Sequence, residues 1–333
     1  MDLADRIPRE PPVIAPIPED PDGRPRPLWS VMIPVYNCAP YLPALLKSIL
    51  HYGPGAEKMQ IEVCDDASTD GDIAGLVHTY GKGRIAYFRQ PRNVGSLRNF
   101  ETCLNRSRGM IIHLLHGDDQ VKAGFYREME RLFVQYPEIG AAFCRYVSID
   151  AFNGEEMTSA LEMARAGILE NWLERLARKQ RIQTPAMVVR RQVYETLGGF
   201  YGVHYGEDWE MWLRIAARYK VGYVPEVLAE YRKHAASISG AYILTGQNIR
   251  DLKEVMAVAK GYFTVDQWRR ISRENKRFYA DYAINTARTL WGRYQHRRGT
   301  SVQIREALNL SANPRVVFQA AKLCVKMLLG IKK

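Results

Sequence analysis

The sequence predicts an α/β fold with a largely parallel central sheet, followed by a helical C-terminal region. From about residue 28 to residue 240, short apolar runs alternate with segments whose apolar residues recur at helical spacing. Beyond residue 240 the strand pattern stops and helical spacing continues. The chain has 333 residues, of which 47% are hydrophobic, so it can bury one large core or two modest ones. This composition excludes a disordered or fibrous protein.

The domain boundaries follow from changes in composition. Residues 1–27 are rich in proline and charge and poor in large apolar side chains, so they bury too little surface to offset the entropy lost on ordering. We therefore predict a Pro-rich flexible leader (1–27), a catalytic α/β domain (28–240) and a basic helical C-terminal region (241–333). The N-terminus lacks an apolar core flanked by basic residues, so we expect no signal peptide and a cytoplasmic location.

The elements of the α/β domain can be predicted in chain order. The apolar runs predict strands at Trp29 to Val35, Gln60 to Cys64, Arg84 to Phe88, Met110 to Leu115, Ala141 to Val147 and Ala186 to Arg190. Helical spacing predicts helices at Tyr41 to Tyr52, Asp72 to Tyr80 and Gly95 to Ser107. Open α/β sheets bind ligands beyond the carboxyl ends of their strands. Polar residues that follow the predicted strands are therefore the candidates for a site.

The first two strands end in such residues. Pro34 stops the first strand before Tyr36 and Asn37, although a plain strand terminus would show the same pattern. Asp65 and Asp66 end the second strand. Two consecutive acids could bind a base or a ribose, and the alternative is a turn that leads into a capped helix.

The next two candidates are a helix start and another strand end. Asn93, Gly95 and Arg98 lie where the third helix begins, so free backbone N–H groups and a guanidinium could bind an anion such as phosphate. His116 and Gly117 lead into Asp118 and Asp119 after the fourth strand. Carboxylate oxygens in this position are suited to a hard cation, and a capped turn is the alternative.

Glu207 and Asp208 form a third acidic pair, at the start of an amphipathic helix. Acids in a first turn complement the helix dipole, which is one explanation for the pair. The other is catalytic, since a hydroxyl that attacks as a nucleophile needs a general base. The five cysteines are scattered and form no Cys-x-x-Cys pair, so we expect free thiols in a reducing compartment.

Taken together, these residues resemble the inverting glycosyltransferases of family two, which have the GT-A nucleotide-sugar-binding fold. The resemblance spans about residues 30–239. It rests on seven segments in order: Ile33 to Asn37, Asp65 to Gly71, Asn93 to Asn99, His116 to Asp119, Gly198 to Phe200, Glu207 to Asp208, and Tyr231 to His234.

The resemblance implies a site for a nucleotide-sugar donor, most simply a UDP-sugar, together with Mg²⁺ or Mn²⁺ and a glycan or lipid-linked acceptor. It implies that Asp208 is the base, that Glu207 orients or binds the acceptor, and that Asp118 is the metal ligand, with His234 as a possible nitrogen ligand. The implied donor contacts are Pro34, Tyr36, Asn37, Asp65, Asp66, Asn93, Gly95, Arg98, His116, Gly117 and Arg232. His116 departs from the family pattern, because an acid usually stands there.

Other functions can be compared with this one. A nucleotidyltransferase of similar fold would show a Gly-rich, basic loop after its first strand, but that place holds Tyr36 to Pro40. A non-catalytic nucleotide-sugar-binding or scaffold protein remains an alternative, motivated by His116 and by the basic C-terminal region. We expect no nucleic acid partner, because the basic residues alternate with apolar helix positions and form no recognition motif.

The C-terminal region carries the whole basic excess of the chain. Residues 241–333 contain 18 Lys and Arg against 6 Asp and Glu. After Asn313 and Pro314 an apolar helix begins, and its polar residues form one stripe: Arg315, Gln319, Lys322 and Lys326. Three roles remain open, namely binding to an anionic membrane surface, docking on the rest of the protein, and pairing with a partner protein.

Overall fold

The structure is a computed structural model that describes residues 6–18, 25–234 and 238–331. They form two compact units. The first contains the chain up to Trp172, Arg181–His204 and Arg214–Lys233, and the second contains Leu173–Gln180, Tyr205–Leu213 and the chain from His234 onward. The predicted single boundary near residue 240 is thus replaced by a discontinuous one. Two short segments, one of which carries Glu207 and Asp208, fold with the C-terminal helices.

The first unit contains a ten-stranded sheet among its described residues. Its strands are β1 (Trp29–Val35), β2 (Met59–Asp65), β3 (Ala86–Arg89), β4 (Ile111–Leu114), β5 (Gln120–Val121), β6 (Ile139–Ile149), β7 (Glu155–Thr158), β8 (Gly167–Ile168), β9 (Met187–Arg190) and β10 (Lys220–Arg232). The order is β3-β2-β1-β4-β9-β6-β10-β5, with β7 on β6 and β8 on β10. The long pairings of β1 with β2 and β4, of β2 with β3 and of β6 with β10 are parallel. Strand β9 runs antiparallel between β4 and β6.

The predicted mixed α/β class, with a mostly parallel sheet followed by helices, is confirmed. All seven residues of β1 are buried, as expected for an inner strand of a parallel sheet that is covered on both faces. Strand β10 is not predicted by the sequence. Its Pro225 argues against a central strand, and the structure accommodates it where the register of β10 on β6 shifts, between Val224 and Val227.

Helices connect these strands and build the second unit. They are α1 (Leu42–Tyr52), α2 (Ile73–Gly81), α3 (Ser96–Arg106), α4 (Phe125–Gln135), α5 (Trp172–Arg178), α6 (Arg191–Leu197), α7 (Glu207–Ala216), α8 (Ile238–Thr245), α9 (Gln247–Ala259), α10 (Val265–Tyr294), α11 (Arg297–Leu310) and α12 (Pro314–Leu329). Helix α10 begins at a capping box in which Thr264 and Gln267 exchange hydrogen bonds. Helix α12 packs on α10 and α11.

The described part of the leader packs against the first unit, contrary to the predicted flexibility. The side chain of Ile14 is only 1% exposed. The N–H of Gly199 donates to the carbonyl oxygen of Pro12, and the buried guanidinium of Arg191 donates to that of Ala15. The composition of the leader alone did not reveal this order, because the hydrogen-bond donors come from residues nearly two hundred positions away.

The cysteines bear on the expectation of free thiols, and the lengths of the helices can also be examined. All five cysteines are free thiols; Cys64, Cys103 and Cys144 are buried and Cys324 is exposed. Among the helices of the described ranges, none combines the length and the apolar character needed to cross a bilayer.

Candidate functional site

The loops that follow β1 and β2 are joined by hydrogen bonds into one structure. Asn37 has a left-handed backbone (φ 54°), and its N–H donates to the Ser68 hydroxyl at 3.0 Å. Its side-chain oxygen accepts from the Thr69 N–H at 2.8 Å, and the Asp70 carboxylate accepts from the Ala39 N–H at 2.9 Å. Two motifs that lie about thirty residues apart in sequence thus form a single rim at the carboxyl edge of the sheet.

Asp65 holds this rim together through hydrogen bonds within the protein. Its carboxylate is completely buried. It accepts hydrogen bonds from the Ser68 N–H and the Tyr87 hydroxyl, each at 2.8 Å, and forms an ion pair with Arg89. Both oxygens are therefore satisfied within the protein. These contacts give Asp65 a structural role, and its expected contact with the donor stays a prediction.

Asp66 binds the start of α3. Its carboxylate accepts from the backbone N–H groups of Val94 (2.7 Å) and Gly95 (2.9 Å) and from the side-chain amide of Asn93 (2.9 Å). Burial raises the pKa of Asp66, and the two backbone donors oppose that rise. A helix N-terminus favours a negative charge, and here the charge is supplied by the chain itself. Asp66 therefore accepts hydrogen bonds from the donors predicted to bind phosphate, and the phosphate contact of Asn93 and Gly95 stays a prediction.

Two arginines lie near this helix start. Arg98, the predicted phosphate ligand, pairs with Glu101 at 2.8 Å on the same helix. Arg6, in the leader, donates to the Asn93 carbonyl oxygen at 3.2 Å. No local pattern in the sequence points to Arg6, because its partner is 87 residues away.

Pro34, Tyr36 and Gly117 shape the adjoining strand ends. Pro34 is buried, and its carbonyl oxygen accepts from the Gly117 N–H at 3.2 Å. A Cβ atom at Gly117 would lie 2.9 Å from the Val35 side chain, so only glycine lets the two loops approach this closely. The ring of Tyr36 is 43% exposed. Of these three residues, Tyr36 is the one that presents a surface to a ligand.

His116 is a neutral imidazole with unused hydrogen-bonding capacity. Its ring stacks on Phe100 with a centroid distance of 5.1 Å and an interplanar angle of 16°. Burial lowers its pKa, so the ring is uncharged at neutral pH. Its Nε2 atom is buried and has no hydrogen-bond partner among the described residues. Such an atom is a ready contact for a polar group of a ligand.

Asp118 and Asp119 have different environments. Asp118 is partly exposed, whereas Asp119 is 1% exposed. Asp119 accepts from the Arg232 N–H at 2.9 Å, while burial and the charge of Asp118 raise its pKa well above the usual range. A buried carboxyl group with a raised pKa, which already accepts a backbone hydrogen bond, is a poor cation ligand. Asp118 is therefore the carboxylate of this pair that can face a metal.

Arg232 is fixed within the protein. Its guanidinium donates to the carbonyl oxygens of Asp118 (2.8 Å) and Asp150 (2.7 Å) and to the side-chain oxygen of Asn153 (2.7 Å). It also lies 4.8 Å from the centre of the Tyr41 ring and is only 3% exposed. This side chain positions the backbone of Asp118, and its expected contact with donor phosphate stays a prediction.

A divalent cation could be held here only if the protein and a bound substrate coordinated it together. Within the described residues there is no group of three or more side chains that could hold a metal. Mg²⁺ commonly binds one or two protein carboxylates together with substrate phosphates, so a single carboxylate such as Asp118 suits it. His234, the other predicted ligand, begins the C-terminal part of the second unit and stays a prediction.

The acidic pair of the second unit has the electrostatics of a general base. Asp208 is 8% exposed, and its carboxylate accepts from the Trp209 N–H at 2.7 Å and from the Gln180 amide at 2.5 Å. Burial raises the pKa of Asp208 to about 7. Burial, followed by the charges of Asp208 and Asp251, raises the pKa of Glu207 well above its usual range. At neutral pH a large fraction of Asp208 is therefore ionised, and the raised pKa of Glu207 favours its protonated form.

Helix α10 fixes the segment that contacts Asp208. The Tyr279 hydroxyl accepts from the backbone N–H of Gln180 at 3.0 Å, and Asn275 donates to the Ala177 carbonyl oxygen at 2.7 Å. The Trp209 indole donates to the Leu176 carbonyl oxygen at 3.0 Å. Sequence reasoning missed Gln180 and Tyr279, because no local pattern links them to the acidic pair.

Comparisons with known proteins support these assignments of fold and family. The family model described as "Glycosyl transferase family 2" matches residues 30–198. A protein of Mycobacterium tuberculosis strain CDC 1551 is 30% identical over 251 residues, which cover 69% of this chain and 75% of that protein.

Solved structures show the same fold. TarS residues 1–349 of Staphylococcus aureus, crystallised with UDP-GlcNAc, superpose with a TM-score of 0.64 at 12% identity, covering 91% of this chain and 89% of that one. The mannosyltransferase PcManGT of Pyrobaculum calidifontis, solved with GDP-Man and Mn²⁺, gives a TM-score of 0.57 at 18% identity, covering 94% and 84%. The fold, the ordered motifs and the family match agree, and the chain belongs to glycosyltransferase family 2.

Proposed function

We propose that this chain is an inverting glycosyltransferase that moves a sugar from a nucleotide-diphosphate donor, first of all a UDP-sugar, to a hydroxyl of a glycan or glycolipid. We further propose that it acts in cell-surface polysaccharide synthesis, at the inner face of the cell membrane. The observation that carries the catalytic proposal is the buried Asp208 carboxylate, which Gln180 and the Trp209 N–H hold in place and whose pKa is about 7.

Asp208 has the properties that deprotonation of an acceptor requires. A sugar hydroxyl has a pKa far above neutrality, so it needs a base whose own pKa lies near the operating pH. An ordinary aspartate is too weak a base, and burial corrects this by destabilising the charged form. Attack by the deprotonated hydroxyl on the anomeric carbon, with departure of the nucleoside diphosphate, is a single displacement. It therefore inverts the anomeric configuration.

The first unit supplies the groups for the donor. Tyr36 offers an exposed ring for a base, and the unpartnered Nε2 of His116 offers a neutral hydrogen bond. Asp118, whose backbone is fixed by Arg232, would hold Mg²⁺ or Mn²⁺ together with the donor phosphates. A bound divalent cation stabilises the charge that develops on the leaving diphosphate. The Mn²⁺ in the PcManGT structure and the UDP-GlcNAc in the TarS structure support this choice of ligands.

A second candidate is a non-catalytic protein that binds nucleotide sugars. The observation in its favour is that several expected ligand contacts, those of Asp65, Asp66 and Arg232, are used within the protein. Binding without transfer would need only the exposed residues of the first unit. Only the catalytic function requires the Asp208 carboxylate.

The experiment is nucleotide release from UDP-, GDP- and dTDP-sugars, each with candidate acceptors and Mg²⁺ or Mn²⁺. We expect release with one donor, and we expect Asp208→Asn to abolish it while donor binding by calorimetry stays close to that of the unmodified protein. Asp266→Asn, which changes a highly exposed aspartate at the start of α10, is the matched control and should keep full activity. Donor binding without release would favour the non-catalytic protein, whereas Asp208→Asn activity within a fewfold of the control would refute Asp208 as the base.

A further inference from the structure

We infer that the outer face of α12 is a docking surface for an anionic membrane. The inference extends the proposal that the protein acts at the inner face of the cell membrane, and it rests on the proposed function only for that location. Docking of α12 on the protein and binding to a membrane were alternatives at the level of the sequence. The structure leaves room for both on one helix, because one face of α12 is buried and another is exposed.

The inner face of α12 is buried. Its buried residues, Val316, Ala320, Leu323 and Met327, recur at intervals of four, three and four. At about 100° per residue they occupy one narrow arc, which packs on α10 and α11. The helix end is also fixed, since the Trp291 indole donates to the Ile331 carbonyl oxygen at 2.8 Å. The helix is therefore held rigidly on the second unit, and its other faces are presented without further ordering.

The outer face is apolar and exposed. It consists of Val317 (44% exposed), Phe318 (69%), Val325 (52%), Leu328 (78%) and Leu329 (67%). The same helical geometry places these five side chains together on an arc of about 120°. Single exposed apolar residues are common on protein surfaces, but a continuous apolar patch marks an interaction site.

A cationic edge borders this apolar face. Arg315 and Lys322 are exposed and Lys326 is partly exposed, and all three lie on the side of the helix next to Leu329. The helix contains no Asp or Glu. An apolar face with cations along its border is the arrangement of helices that lie in a bilayer interface. With sixteen residues the helix is too short to span a bilayer, so it would lie flat.

The charges favour a membrane over a second copy of the chain. If two copies paired through this face, each would bring the same cationic edge, and the like charges would repel. An anionic lipid surface attracts the same edge, and each Lys or Arg near such a surface strengthens binding roughly fivefold. The net charge of +12 on residues 241–333, from 18 Lys and Arg against 6 Asp and Glu, acts in the same direction.

The test is flotation of the full-length protein with phosphatidylcholine vesicles, with and without phosphatidylglycerol. We expect binding to the anionic vesicles, a loss of more than tenfold for the double variant Phe318→Ser with Leu328→Ser, and a loss of roughly tenfold or more for Lys322→Gln with Lys326→Gln. Val265→Ser removes an apolar side chain of comparable exposure (67%, against 69% for Phe318 and 78% for Leu328) at the start of α10, and this control should bind like the unmodified protein.

Three outcomes would overturn the inference. They are absence of binding to anionic vesicles, equal binding to neutral ones, and a dimer in light scattering that the Phe318→Ser and Leu328→Ser variant converts to monomer. Nucleotide release with a water-soluble acceptor is measured on the same preparations. Release that persists without vesicle binding refutes the membrane surface alone, and vesicle binding without release refutes the proposed function alone.

Discussion

Replacing Gln180 with alanine should raise the pKa of Asp208 and shift the pH dependence of transfer upward. The Gln180 amide donates to the Asp208 carboxylate at 2.5 Å and stabilises its ionised form, which lowers the pKa against the effect of burial. Without that donor the charged form is less stable, so deprotonation requires a higher pH. Glu207 and Tyr279 are titratable groups that interact electrostatically with Asp208, and the substitution leaves both in place.

The size of the expected pKa shift of Asp208 follows from the hydrogen bond that is lost. A hydrogen bond to a charged group contributes about 1.5–3 kcal/mol. Because one pKa unit corresponds to about 1.36 kcal/mol, this range equals roughly one to two units. Gln180 is partly exposed, and solvent can replace some of the lost bond, so we expect a shift of about one unit. Activity should then fall about tenfold well below neutral pH and change little at alkaline pH.

The assay is kcat/KM for nucleotide release as a function of pH. The unmodified protein should gain activity as the pH rises through about 7, since the ionised Asp208 is the active form in the proposed mechanism. Gln267→Ala is the matched control, because it removes a glutamine from the capping box of α10 and should cost stability without moving the pH profile. An unmoved profile in Gln180→Ala, or an equal shift in the control, would refute the positioning of Asp208 by Gln180.

Two further predictions concern the first unit. Asp118→Ala should abolish the dependence of donor binding on Mg²⁺ or Mn²⁺ with little change in melting temperature. Asp119→Ala should instead lower the melting temperature, because it leaves the buried Arg232 N–H without an acceptor. Equal loss of metal dependence in both variants would contradict this difference in roles. Deleting residues 1–18 should lower the melting temperature by about 3–12 °C, since burial of Ile14 alone contributes roughly 1.5–3 kcal/mol. An unchanged melting curve, measured by calorimetry, would contradict this reasoning and support the predicted flexibility of the leader.

The sequence determined the class of fold, the order of the first strands and the position of the acidic clusters. Strand β1 was predicted with the bounds that the structure shows, Trp29–Val35, because an inner strand of a parallel sheet is a continuous apolar run. Strand β10 was missed because its proline and glycine are typical of loops. The difference arises because hydrophobic spacing is a local property, whereas the pairing of β10 with β6 depends on residues about eighty positions apart.

Only the tertiary structure decided what each polar residue of the motifs does. Asp65 and Asp66 differ little in sequence from Asp118 and Asp208, yet the first two are enclosed by donors of their own chain. The guanidinium of Arg232 likewise donates hydrogen bonds to neighbouring carbonyl oxygens. The residue type fixes which hydrogen bonds a side chain can make. The fold decides whether its partners are protein groups or solvent, because a buried polar group must find its hydrogen-bond partners within the protein. The sequence could therefore predict where a site lies, while the division between residues that build it and residues that face a ligand needed the three-dimensional structure.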